Sequence, residues 1–169
     1  MSQDAVQDIK TRDIAVTRVF DAPVETVWRL WTEPALLKRW WGPQSFTCPV
    51  AELDFREGGV SLVSMRAPQE YGGQEMFSTW TYTRIVPMER IEYIYHLTDA
   101  EGNRLDPAAL NLPPDVPEEV RIVVTFVTNN GKTEMTLVHY GMPAGDMSER
   151  AEMGYNQSFD KMAKILASL

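Results

Sequence analysis

Apolar residues recur along this chain in two rhythms, one of period two and one of period three to four. The β-branched and apolar run Ile14–Phe20 predicts a first strand, stopped by Asp21-Ala22-Pro23. The rhythm then changes. Val24, Val27, Trp28 and Trp31 share one face at helical spacing, with Pro23 suited to the first turn and Glu25 near the positive end of the helix dipole. A second short helix is predicted over Glu33–Arg39, with Thr32 as its cap and Pro34 at its start, ended by Gly42-Pro43. From there the period is that of strands: Thr47–Phe55, Val60–Arg66, Glu75–Val86, Arg90–Leu97, Arg121–Thr128 and Lys132–Tyr140.

The connections agree with that reading. Arg56-Glu57-Gly58-Gly59 supplies glycines for positive φ, Pro87-Met88-Glu89 starts a tight turn with proline, and Asn129-Asn130-Gly131 accepts left-handed geometry. Ala67–Gly73 reads as a loop. Thr98–Glu119 has four prolines and little periodicity, which leaves two readings open: a lid over a site, or a surface excursion. The best helix is the last, from Asp146 to Leu169. Asp146 is its expected N-cap with Glu149 completing a box, and Met147, Ala151, Gly154/Tyr155, Ser158/Phe159, Met162 and Ile165/Leu166 form the apolar stripe. Lys161 and Lys164 lie toward its negative end. Strands followed by helix without alternation make the class α+β, with residues 1–12 a loosely held tail and 13–169 one domain.

Charge and composition narrow the function. The net charge of −8 argues against nucleic-acid binding, which needs clustered Lys and Arg against phosphate. The single cysteine, Cys48, permits no internal disulfide and no multi-cysteine metal site, and suits a reducing compartment. The polar N-terminus has no signal-peptide core and no run is long enough to span a bilayer, so the expected location is cytoplasmic, without membrane insertion. No nucleophile elbow, phosphate loop or dinucleotide fingerprint appears, so no cofactor is expected.

Six stretches carry a resemblance when taken in order. They are Phe20-Asp21-Ala22-Pro23-Val24-Glu25-Thr26-Val27-Trp28, Leu37-Lys38-Arg39-Trp40-Trp41-Gly42-Pro43, Asp54-Phe55-Arg56-Glu57-Gly58-Gly59, Ile85-Val86-Pro87-Met88-Glu89-Arg90-Ile91, Thr136-Leu137-Val138-His139-Tyr140-Gly141, and Gly154-Tyr155-Asn156-Gln157-Ser158-Phe159. Over about residues 13 to 167 the chain resembles the SRPBCC superfamily, also called START/Bet v 1-like, in the branch named for homology to the activator of Hsp90 ATPase. The resemblance implies a helix-grip fold, in which a curved antiparallel sheet grips the C-terminal helix around a cavity for lipids, polyketides or other apolar ligands. It also implies two departures: Trp80 stands where relatives often have a small residue, and Ser61 where they often have an aromatic.

Alternation assigns the cavity-facing residues, because positions two apart share a sheet face. The sets are Ser61, Val63 and Met65; Met76, Ser78, Trp80 and Tyr82; Ile91, Tyr93 and Tyr95; Ile122, Val124 and Phe126; and Met135, Leu137 and His139. The last helix adds Tyr155, Phe159 and Met162, and Trp40-Trp41 closes one end. Such a wall suits an apolar or aromatic small molecule. His139 is the one catalytic candidate, either orienting a ligand or acting as a base, against the plainer reading of a hydrogen-bonded wall histidine. His96 alternates to the other face and is expected to be exposed, so a histidine metal site is not expected. Cys48 reads as a small strand residue, and Asp54 and Arg56 as turn stabilisers. The first functional expectation is therefore non-catalytic binding of an apolar small molecule. A cyclase- or hydrolase-type enzyme using His139 with Tyr82 or Tyr95 stays as the alternative. A protein-interaction module of the Hsp90-activator type is the further alternative, with an Hsp90-type ATPase open as a partner without being the expected one, and a homodimer is compatible with the sequence although no residue argues for it.

Overall fold

The computed structural model describes residues 10–110 and 116–169. Its elements, in chain order, are β1 (Thr11–Phe20), α1 (Val24–Thr32), α2 (Pro34–Trp40), β2 (Ala51–Glu52), β3 (Val60–Arg66), β4 (Glu75–Val86), β5 (Arg90–Thr98), β6 (Val120–Asn129), β7 (Lys132–Pro143) and α3 (Asp146–Ser168). The seven strands form one antiparallel sheet in the order β1-β7-β6-β5-β4-β3-β2. Every neighbouring pair except β1–β7 follows the chain, so short turns build most of the sheet. The α3 helix lies across the inner face, and α1 and α2 close one end; this is an α+β helix-grip fold.

Local chemistry explains where the elements depart from the sequence reading. The first strand starts at Thr11, so Thr11 and Arg12 belong to the sheet rather than to a tail, while residues 1–9 of that predicted tail lie outside the described residues. Thr32 is not a cap: it is the last residue of α1, its hydroxyl donating to the Trp28 carbonyl, and Glu33 caps α2 through its backbone while pairing with Arg29. Pro23 is the N-cap of α1 rather than part of its first turn. The predicted strand Thr47–Phe55 reduces to Ala51–Glu52 plus an isolated bridge from Thr47 to Arg66. Pro49 has no N–H for a ladder, and serine hydroxyls take over part of the pairing: Ser64 Oγ accepts from the Val50 N–H and Ser61 Oγ from the Asp54 N–H.

The last helix begins at Asp146 with Gly145, not Asp146, as its cap. Gly145 has φ +100°, and its carbonyl accepts both the Ser148 hydroxyl and the Glu149 N–H. Asp146 and Glu149 instead sit in the first turn, where carboxylates favour the dipole. Lys161 does not serve the helix end either; its ammonium donates to the Pro43 and Phe46 carbonyls, tying α3 to the loop after α2. Two arginines of the edge strand hold the outer side of the same helix: Arg12 bonds Ser148 and Glu152, and Arg18 bonds Asn156 and Asp160.

The β6–β7 hairpin turns on Asn130 (φ +53°) and Gly131 (φ +79°), the left-handed pair its sequence predicted. Gly59 is required for a different reason, since a Cβ there would collide with the Asp54 carbonyl.

Candidate functional site

The inner face of the sheet divides into a filled end and an open end. At the filled end, Trp31, Trp40, Trp80, Tyr82, Tyr93 and Phe159 are among the largest fully buried side chains. Trp80 stacks on Tyr93 with centroids 4.6 Å apart at 12°, while Trp41 meets Trp80 edge-on at 4.9 Å. The three most deeply buried indoles are satisfied: Trp40 donates to the Leu30 carbonyl (2.7 Å), Trp80 to Ser78 Oγ (3.3 Å) and Trp31 to Met135 Sδ (3.4 Å). Tyr82 bonds Ser61 at 2.8 Å, and burial pushes its phenol up to about 12.

At the open end lies a cavity of about 320 Å³. Its floor is the ends of β5, β6 and β7, one wall is the first half of α3, and another is Trp41-Gly42-Pro43 after α2. The segment after β5 supplies Leu105, Pro107 and Val116–Glu118, so part of the stretch 98–119 covers the cavity; residues 111–115 of that stretch lie outside the described residues. Arg104 bridges to Thr98 and the Leu105 N–H donates to the Leu97 carbonyl, which continues the sheet where β6 has not yet begun.

Trp41, Met65, Met76, Tyr95, His139 and Tyr155 of the predicted site line this cavity. Trp40, Ser61, Val63, Trp80, Tyr82, Tyr93, Phe126, Leu137, Phe159 and Met162 do not; they are buried among one another or against the two short helices. The reason is length. Alternation gives the face of a side chain, not its height along the strand, and the aromatic residues cluster at the end that α1 and α2 cover.

The lining residues that the sequence reading missed include Leu97, Leu105, Met142, Met147 and Arg150. Leu97 continues the alternation of Tyr93 and Tyr95, and Met147 belongs to the helix stripe, so both carried a signal. Met142 did not. Between the pairs Ile14–His139 and Arg12–Met142, β7 has one residue more than β1, a bulge that shifts the alternation by one and turns Met142 to the face of Arg12 and His139. Asp13, at the bulge, accepts the Gly141 N–H, and Gly141 takes φ +73°.

The buried ring-to-phenol chemistry of the cavity is one uncharged pair, while the exposed Arg150 and Glu118 side chains border its mouth. His139 Nδ1 lies 2.7 Å from the Tyr155 hydroxyl. Burial lowers the His139 pKa to about 4, with Asp13 opposing the shift, and burial drives the Tyr155 phenol well above its ordinary value. Both groups are neutral near pH 7. His139 Nε2 is buried with no protein partner.

His96 is not exposed. It faces away from the cavity but is 3% accessible, because the segment after β5 folds over it and places Glu119 Oε1 3.3 Å from Nε2, with Arg104 on the same carboxylate at 3.6 Å. Cys48 is buried with its thiol pushed up to about 11 by desolvation, so it has little thiolate character. Among the described residues no group of three His, Cys, Asp or Glu side chains could hold a metal ion, and no helix is long and apolar enough to cross a membrane.

Comparison with known proteins places this geometry. Residues 21–167 match the family model described as activator of Hsp90 ATPase homolog 1-like protein. Among solved structures, protein CV1439 from Chromobacterium violaceum is 27% identical with a TM-score of 0.74, over 91% of this chain and 96% of that one. The AHSA1 protein from Silicibacter pomeroyi is 23% identical, with a TM-score of 0.72 over 92% and 98%. CalU16 from Micromonospora echinospora is 19% identical, with a TM-score of 0.61 over 92% and 76%. A search of curated proteins found no match.

Proposed function

The chain belongs to the activator of Hsp90 ATPase homolog 1-like family, and we propose that it binds an apolar small molecule in the cavity beneath the first half of α3 without transforming it. The observation that carries this reading is the cavity itself. At about 320 Å³ it falls at the lower end of the range for ligand sites, roughly 300–1,000 Å³, and is large for a packing void. Its walls include Trp41, Leu97, Leu105 and four methionines, Met65, Met76, Met142 and Met147. Unbranched thioethers repack around different shapes, which suits a flexible apolar ligand.

The same chemistry speaks against general-base catalysis. A base works best with a pKa near the operating pH, and a histidine held at about 4 is a weak one at neutrality. The enzymatic alternative keeps one observation in its favour, the unpartnered Nε2 of His139 in a residue that lines the cavity.

Native mass spectrometry of protein purified without denaturation tests the binding reading. A small molecule released on unfolding supports it; only the bare chain, combined with failure of apolar probes to perturb the tryptophan fluorescence, overturns it. If a transformed ligand is found, His139→Ala separates the readings: binding alone predicts altered affinity, whereas catalysis predicts lost turnover with the ligand still bound.

A further inference from the structure

Three side chains border two cavities at once. Met76, Leu97 and Leu105 line the main cavity and also a second one of about 290 Å³ at the rim of the sheet, where β4 begins and β5 ends. The second cavity continues past them to Thr98, Asp99 and Ala100. What separates the two spaces is therefore a layer one side chain thick. Leu97 and Leu105 are joined backbone to backbone by the Leu105 N–H to Leu97 carbonyl bond, which holds their positions. Met76 is different: it is 50% accessible, unbranched, and pairs across the strands with Met65, another unbranched wall residue. It is the part of the layer able to swing aside.

The polar groups at the far end are already engaged. The Asp99 carboxylate accepts from the Glu101 and Asn103 N–H groups and the Asn103 amide, the Thr98 hydroxyl donates to the Asp99 carbonyl, and Glu75 pairs with Arg66. The rim therefore suits the apolar end of a ligand, and the charged side chains Arg150 and Glu118 border only the main cavity.

We propose that the two cavities act as one elongated site with Met76 as its movable partition, and that the ligand carries an aliphatic chain longer than the main cavity holds. This rests on the small-molecule reading above and adds a length and a class to it. The chain lies along the methionine-rich floor under α3, passes Met76, and ends at the rim beside Ala100.

A series of straight-chain primary alcohols, titrated calorimetrically against the folded protein, tests it. Each methylene that leaves water adds about fourfold in affinity, from about 0.8 kcal/mol per CH₂. In the wild-type protein the rise continues past the length that fills the main cavity. Ala100→Trp, on an exposed turn that borders only the second cavity, halts the rise at that length and leaves the shorter alcohols unaffected. Met76→Ala, which thins the partition, strengthens the longer members relative to the shorter ones. The same break in chain length for wild type and Ala100→Trp, with no relative gain in Met76→Ala, overturns the elongated site while leaving the main cavity as the binding site. No binding of any alcohol overturns the small-molecule reading as well.

Discussion

His139 makes the acid stability of this protein depend on one buried ring. Its pKa falls from 6.5 to about 4 on folding because desolvation disfavours the imidazolium more than Asp13 favours it. Between those values the unfolded chain binds the proton and the folded chain does not, so stability is full above about pH 6.5 and is lost as the pH falls toward 4. The full shift of about 2.5 units corresponds to about 3 kcal/mol, and about 2 kcal/mol of it is lost between pH 7 and pH 5. That window matters, because Glu75 and Glu92, whose pKa values are lowered by Arg66 and by Arg90 and Arg121 against their burial, keep their charge until the pH is more acidic. The comparison is with His139→Gln, which keeps an acceptor for the Tyr155 hydroxyl and removes the titration. Urea unfolding at pH 7 and pH 5 is expected to show wild type losing about 2 kcal/mol more than the variant, whatever their difference at pH 7. All other titrating groups are common to both proteins and cancel. Equal losses would mean that His139 is not held neutral, and the neutral His139–Tyr155 pair would fail with it.

Other substitutions probe the division of the inner face. Trp80→Ala, in the filled end, is expected to cost about 3–5 kcal/mol in urea unfolding, whereas Met76→Ala, half exposed at the cavity, is expected to cost less than about 1 kcal/mol; equal costs would mean the two ends are packed alike. Lys161→Met removes a charged donor from the Pro43 and Phe46 carbonyls and should cost about 2 kcal/mol, loosening the loop that carries Trp41, readable as faster amide exchange there. Cys48 should resist thiol reagents at pH 8 in the native protein and react only on unfolding; rapid native labelling would contradict its burial.

Much of this fold was legible because local chemistry and global topology agree. The turns at Gly58-Gly59 and Asn130-Gly131 set hairpins in place, and the runs of β4 to β7 needed little adjustment. The misread positions turn on contacts that periodicity does not encode, some local and some tertiary. Pro49 and the serines Ser61 and Ser64 break up a strand that composition predicted. Gly145 rather than Asp146 caps α3 because its carbonyl takes the first helical N–H and the Ser148 hydroxyl together. His96 looked exposed because alternation knows only the two faces of a sheet, not that residues such as Glu119 and Arg104 can come together over the outer one. The candidate site was half legible for the same reason: the pattern told inside from outside and was silent about which end of the inside is occupied.

Trp80 and Ser61 show how that choice of end is made. They are paired across β3 and β4, the large residue directly opposite the small one. Ser61 leaves room that the Tyr82 phenol fills, with a 2.8 Å bond between them. Trp80 fills the middle of the inner face, stacked on Tyr93 and flanked by Trp31 and Trp41. An interior packed this densely has no space left for a ligand under α1 and α2. The main cavity lies on the far side of Trp41, where the strand ends are walled largely by methionines and by residues of the segment after β5. A ligand held there meets adaptable side chains and one neutral hydrogen-bonding pair, with Arg150 and Glu118 at the border. The aromatic cluster that the sequence offered as the binding surface serves as the rigid base that sets where the cavity begins.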